Sequence, residues 1–151
     1  MIRRAIAADA EQLAQLMYKL ATLEGYAARF AVTPEIILQH GFIADAPQFV
    51  AWVVDDGANT LHGYAVIYIT AFTFDLRPTI VLKELFVEEH TRGQQYGRQL
   101  FAAVRAYAQS LHGRLLRWQV LPGNDAAKSF YRQCGGRFDS GWENWLLDLD
   151  N

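Results

Sequence analysis

The sequence predicts a mixed α/β domain in the order β-α-α-β-β-β-α-β-α-β around one central sheet. Three observations predict it. Apolar residues recur at helical spacing in some segments and as short, β-branched-rich runs in others. Caps, prolines and glycines separate these segments. No internal repeat, low-complexity tract or Pro/Ser-rich linker interrupts the 151 residues, 52% of them apolar, so residues 1–151 are expected to form one domain with its own core.

Residues 2–7 read as a short first strand. Asp9 stands as an N-cap with Gln12 three residues on, the pattern of a capping box. Leu13, Leu16, Met17, Leu20 and Leu23 then share one helical face, and Gly25 stops the helix. Thr33-Pro34-Glu35 starts a second helix, to about residue 43: a cap, a proline whose missing N–H costs nothing there, and an acid in the first turn. Residues 49–54 and 61–72 are strands joined through Asp55-Asp56-Gly57-Ala58-Asn59 as a hairpin. Residues 79–87 form another strand. A long helix follows over 93–111, burying Leu100, Phe101, Val104, Tyr107, Ala108 and Leu111. Residues 115–120 are a strand, Asn124 caps a short helix to about Cys134, and 137–139 with 142–149 supply the last strand or strands.

Composition excludes several classes. A net charge of −2 argues against nucleic acid or a membrane surface as the main partner. No apolar run approaches the 18–20 residues of a spanning helix, and the first residues lack a signal peptide's pattern. One cysteine, Cys134, rules out an intramolecular disulfide and fits a reducing cytoplasm; it reads as a packing residue. His40, His62, His90 and His112 share no metal-ligand spacing, so no metal is expected.

The charge is unevenly spread. Residues 90–124 contain no Asp or Glu but hold Arg92, Arg98, Arg105, Arg114 and Arg117. Arg105, Arg114 and Arg117 fit a solvated face. Arg92 and Arg98 instead flank Gly93-Gln94-Gln95-Tyr96-Gly97 at a helix start, where unpaired N–H groups and a partial positive charge favour an anion, most naturally phosphate. The segment lacks the Gly-Lys-Ser/Thr ending of a nucleotide P-loop and the Gly-x-Gly-x-x-Gly of a dinucleotide site.

These residues carry a resemblance. The strand Leu85-Phe86-Val87 running into Arg92-Gly93-Gln94-Gln95-Tyr96-Gly97-Arg98, with Asn124 and Phe130-Tyr131 downstream, resembles the GNAT superfamily of N-acetyltransferases. Ile2-Arg3-Arg4-Ala5, Thr73-Phe74 through Arg77-Pro78, Lys83-Glu84 and Gly141-Trp142 resemble its diamine (spermidine/spermine, thialysine) acetyltransferase-like branch. The resemblance implies the GNAT fold, a mostly antiparallel sheet splayed where acetyl-CoA binds. It implies that main-chain groups of Leu85, Phe86 and Val87 hold the pantetheine arm. The amides around Gln94, Gln95, Tyr96, Gly97 and Arg98 would cradle the pyrophosphate, with the Arg92 and Arg98 side chains adding charge. Asn124, also an ordinary N-cap, would touch the cofactor arm, and Lys128 either reaches the adenosine phosphates or is simply exposed. Tyr131 would protonate the leaving thiolate, a task suited to a phenol. Glu84 is the first choice of base for the attacking amine, ahead of Glu24 or a water chain; Glu24, Lys83 and Glu84 would line the amine pocket.

Two positions depart from the pattern. Gln95 replaces a glycine and is expected to lie in the helical turn, where its N–H still serves. Lys83-Glu84 replaces two acids, which weighs against a polyamine and toward an acceptor bearing a carboxylate. Trp142, Trp145, Phe72 and Phe74 are expected in the core or an interface, since late strands in relatives help build a homodimer. The expected function is acetyl transfer from acetyl-CoA to a small-molecule primary amine, either diamine/polyamine or amino-acid-like, by direct attack and without a metal. A non-catalytic acyl-CoA-binding module and a protein-amine acetyltransferase are the alternatives.

Overall fold

A computed structural model describes residues 1–150. They fall into two compact units, residues 1–119 and the remainder from Val120.

The first unit is built on a five-stranded sheet in the order β1 (Ile2–Arg4), β2 (Val50–Asp55), β3 (Leu61–Thr70), β4 (Thr79–Val87) and β5 (Leu115–Arg117). The first four strands pair antiparallel, and β5 joins β4 in parallel. The β2–β3 turn has the predicted chemistry. The Asp55 carboxylate accepts from the Gly57 N–H at 2.8 Å and the Asp56 carboxylate from the Ala58 N–H at 2.7 Å, while Gly57 and Asn59 take positive φ.

Helices α1 (Ala10–Glu24) and α2 (Pro34–Leu38) cover one face. Leu13, Leu16, Met17 and Leu20 of α1 and Ile37 of α2 pack with Ala51, Val53, Tyr64, Val66 and Phe86 of the strands. Strand alternation sends the intervening side chains the other way. There Trp52 meets Tyr107 of helix α3 (Tyr96–Ser110), and Leu100, Phe101, Val104 and Ala108 of α3 are buried. Gly25 ends α1 in the left-handed conformation, and the Thr33 hydroxyl accepts from the Ile36 N–H at 3.2 Å, both as predicted. Beyond α2 the chain continues as a π-helical turn, Gln39–Ile43.

The second unit carries α4 (Asp125–Gln133), opened by Asn124. Residues 137–139 and 142–149 form no strand, contrary to expectation. A strand persists only where a neighbour takes its N–H and C=O groups. Trp142 and Trp145 are exposed, as are Phe72 and Phe74 in the first unit, so none is a core residue.

Asp9 also departs from its expected role. It makes no side-chain cap to α1. Its carboxylate accepts from the Ile6 N–H at 2.8 Å and takes both terminal nitrogens of Arg3, at 2.9 and 3.0 Å. Gln12, the other half of the predicted capping box, ties α1 to the β2–β3 turn: it donates to the Asn59 carbonyl and accepts from the Leu61 N–H at 2.8 Å. Burial raises the Asp9 carboxyl, but the Arg3 and Ile6 bonds outweigh it and hold it below the ordinary aspartate value. A carboxyl depressed in the fold stabilises above its unfolded pKa, near 4, and that contribution fades as pH drops through the native value. Asp9→Asn is therefore expected to cost about 2 kcal/mol at pH 7, the scale of charged hydrogen bonds. The deficit should shrink below about pH 4. Urea unfolding of both proteins across pH checks this, and a deficit independent of pH would contradict it.

Candidate active site

The sheet opens where the motif predicts. Strand β5 pairs with β4 only at Thr79, Ile80 and Val81. From Leu82 to Val87, apart from Lys83, β4 keeps its β3 partners but has no β5 partner. The main chain of Leu85, Phe86 and Val87 thus presents an unpaired edge, on which an extended ligand can hydrogen-bond as a strand would.

At the head of this edge β4 contains a bulge. Val66 pairs with Glu84 and Ile67 with Leu82, leaving Lys83 as the extra residue. Lys83 is exposed and Glu84 half-buried. Glu84 shares a face with Phe86, the face covered by α1. Two phenols meet its carboxylate: the Tyr26 hydroxyl donates to Oε2 and the Tyr64 hydroxyl to Oε1, each at 3.1 Å.

Burial raises the Glu84 carboxyl most strongly, and the charge of Glu24 adds to this; the two phenols and Lys83 counter only in part, so the net shift is upward. Burial and the Glu84 charge push Tyr26 up to about 12 and raise Tyr64 further, so both remain hydroxyl donors. Glu24, exposed at the end of α1, acts here through its charge. The structure thus brings Glu84, Glu24 and Lys83 into one electrostatic neighbourhood. It adds Tyr26 and Tyr64, which sequence reasoning missed; only strand pairing and the chain reversal after Gly25 bring them to Glu84.

The phosphate motif lies at the start of α3. After β4 the chain makes a 3₁₀ turn, Glu89–Thr91, and Arg92 is extended and exposed. Gly93 has φ +92°, with open space where a Cβ would stand, so backbone conformation alone calls for glycine. Gln95 has φ +62° and ψ +22° and is the N-cap of α3, which begins at Tyr96 and not at Gly93. This corrects the expectation that Gln95 lies in the helical turn: it occupies the left-handed conformation that glycine takes without cost. Tyr96 is half-buried, its hydroxyl donating to Gln94 at 2.8 Å; Gln94 and Arg98 are exposed, and the first turn of α3 carries no acid. The N–H groups of Tyr96 and Gly97 belong to the first turn, which lacks intrahelical acceptors.

Left-handed backbone costs an L-residue about 1–2 kcal/mol, and glycine returns part of that through unfolded-state entropy. Gln95→Gly is therefore expected to stabilise the protein by up to about 1 kcal/mol. An unchanged or lower urea midpoint would count against the strain.

In the second unit, the Asn124 side chain accepts from the Ala127 N–H at 3.0 Å, the predicted N-cap. Lys128 donates from its ammonium to the Pro122 carbonyl. Tyr131 is half-buried on α4 beside Phe130, ring centroids 5.1 Å apart. Gly135, with φ +96°, closes the helix.

A mixed sheet whose β4 edge is open beside a helix start is the architecture these features define. The sequence model of the acetyltransferase (GNAT) family matches residues 13–136, and the chain belongs to that family. An uncharacterized N-acetyltransferase of Bacillus subtilis (strain 168), YhfO, is 29% identical over 87 residues, 58% of this chain and 58% of that protein's length. Among solved structures, a mutant of the BH1408 protein from Bacillus halodurans is 25% identical with a TM-score of 0.77, over 97% of this chain and 99% of its own. An aminoglycoside acetyltransferase from an uncultured soil metagenomic sample, in complex with sisomicin, shares the fold with a TM-score of 0.82 at 16% identity, over 99% and 96%. Among the described residues, no helix is long and apolar enough to cross a membrane.

Proposed function

We propose that the protein is an acetyl-CoA-dependent N-acetyltransferase acting on a primary amine of a small molecule, with residues 1–151 serving as one catalytic domain. The observation that carries this reading is the β4 edge left open beyond Val81, with Glu84 beside it. The pantetheine arm extends along Leu85, Phe86 and Val87. The pyrophosphate sits on the amides of Gln94 to Arg98, with Arg92 and Arg98 giving charge complementarity. Asn124 contributes to holding the arm, and Lys128 leaves the Pro122 carbonyl to meet the adenosine phosphates.

The amine must lose a proton to attack. Glu84 accepts it, its carboxylate held by the two phenols and its proton affinity raised toward working pH by burial. Main-chain N–H groups polarise the thioester carbonyl. The amine nitrogen attacks the carbonyl carbon, the C–S bond breaks, and Tyr131 gives its proton to the leaving thiolate. Glu24 and Glu84 attract a cationic amine, while Lys83 on the bulge favours an acceptor that also carries a carboxylate. This keeps diamines and amino-acid-like amines in view, the substrates of the diamine acetyltransferase-like branch.

The reading includes a cytoplasmic location, which keeps the lone thiol of Cys134 reduced. It also includes a homodimer, for which the exposed Trp142, Trp145, Leu146 and Leu147 offer an apolar surface. A thiol-release assay with acetyl-CoA and a panel of diamines, aminoglycosides and amino acids tests the activity. Tight CoA binding by calorimetry with no product from any amine would make the protein a binding module instead. Lys83→Glu should shift preference from amino acids to diamines, and an unchanged ratio of kcat/KM values would remove Lys83 from specificity.

A further inference from the structure

A second cluster of chemistry-bearing side chains lies beyond the open edge, at the far end of β4. His62 comes from β3, Glu88 follows β4, and His90 stands in the 3₁₀ turn leading to Arg92. One donor atom from each lies within 4.8 Å of the other two. We propose that His62, Glu88 and His90 bind one divalent transition-metal ion of the zinc type.

Three observations carry the proposal. The first is the polarity of His62. Its Nε2 stands 3.0 Å from Asp56 Oδ2 and its Nδ1 3.3 Å from Glu88 Oε1. Each His62 ring nitrogen thus faces a carboxylate oxygen, and a neutral imidazole carries one proton for the two; when Nε2 donates it to Asp56, Nδ1 offers its lone pair toward Glu88 Oε1. Two acceptors do not rest against each other; a cation belongs in that gap, either a second ring proton or a metal ion. A carboxylate that fixes the far nitrogen of a ligating histidine is the usual outer partner of a metal-bound imidazole.

The second is spacing. Donor atoms about 2.0–2.2 Å from a tetrahedral ion stand roughly 3.3–3.6 Å apart, which the His62–Glu88 pair already satisfies. His90 is exposed, so its side chain is free to close the rest, and its ring already meets the His62 ring edge-on at 5.5 Å. A metal would take His90 as its third ligand, which a proton bridging His62 and Glu88 does not.

The third is the surroundings. Lys19 pairs with the other oxygen, Glu88 Oε2, and so holds the carboxylate with Oε1 facing His62. A groove of about 400 Å³ between α1 and this turn is lined by Lys19, Glu88 and His90, which gives the ion an entry path and a place for a solvent ligand. Two imidazoles and one carboxylate select zinc, nickel or cobalt over magnesium or calcium, which prefer all-oxygen sites. The bound ion would pin the turn ahead of Arg92 to β3. This role stands apart from acetyl transfer and is independent of the activity proposed above.

The test is calorimetric titration of the tag-free, EDTA-stripped full chain with zinc chloride, repeated with nickel and magnesium chlorides. One equivalent of zinc or nickel is expected to bind, and magnesium not. His90→Ala and Glu88→Gln should each weaken zinc by tenfold or more, and Asp56→Asn by about 10–100-fold, the usual cost of losing an outer-shell partner. His40→Ala and His112→Ala should bind as wild type. His90→Gln serves if His90→Ala fails to fold as wild type in EDTA by circular dichroism. No saturable zinc binding, zinc binding undiminished in both His90→Ala and Glu88→Gln, or equal binding of magnesium would overturn the proposal.

Discussion

Glu84→Gln is expected to lower kcat/KM for acetyl transfer by about 10²- to 10⁴-fold, the contribution typical of a positioned general base. The substitution keeps the shape and a partner for the Tyr26 and Tyr64 hydroxyls but removes proton affinity. In the wild type, log kcat/KM should rise with pH through an apparent pKa above the ordinary glutamate range, since only ionised Glu84 accepts a proton and burial has raised its pKa. Glu84→Gln should lose that limb and keep the higher one set by the amine itself.

Stability should move the other way. A carboxyl whose pKa is raised by folding stabilises below its unfolded value, and that contribution disappears as pH climbs through the native one. Once ionised, the half-buried Glu84 is therefore a burden, and at pH above its native pKa Glu84→Gln should unfold at equal or higher urea concentration than wild type. A variant that keeps wild-type kcat/KM and the same acid limb would show that Glu84 is not the base, leaving Glu24 or water.

Tyr131→Phe is expected to reduce kcat by about 10²-fold or more, with KM for acetyl-CoA little changed. The hydroxyl is needed only as charge develops on sulfur, so its loss falls on the chemical step and not on binding. The decisive readout is the leaving group. An acetyl thioester of a more acidic thiol departs without a proton, so the gap between Tyr131→Phe and wild type should narrow sharply with such a donor. A purely structural role would give the same loss with both thioesters. Full turnover with acetyl-CoA would take Tyr131 out of the mechanism.

Features that depend on a few neighbouring residues were legible in the chain. Thr33-Pro34-Glu35, the Gly25 stop and the Asn124 cap form where their local chemistry demands, because each bond closes within three or four residues. Strand β4 spans residues 79–87 as read, since β-branched and apolar residues fill it between a proline and the acids Glu88 and Glu89. The acid-free, arginine-bearing composition of residues 90–124 was legible from a missing residue type.

Local rules failed where a distant partner outbid them. Asp9 and Gln12 spell a capping box, yet Arg3 claims the first and the β2–β3 turn the second. Gln95 follows the helical pattern of α3 but is held in left-handed backbone. The segment beyond Gly136 has the apolar content of a strand and pairs with none, because a strand needs a neighbour that sequence alone does not supply.

By itself, the sequence determined the element order from β1 to α4 and the motif at the start of α3, while Glu84 and Tyr131 entered as chemical groups through the family resemblance. Tertiary structure alone decided the environment of Glu84. Its two phenols lie 58 and 20 residues away, and burial among them sets its proton affinity. It likewise decided that His62, 26 residues from Glu88, faces it across neighbouring strands. Proton affinity and metal affinity depend on dielectric and on distances between donor atoms, and strand register fixes both only once the sheet has formed.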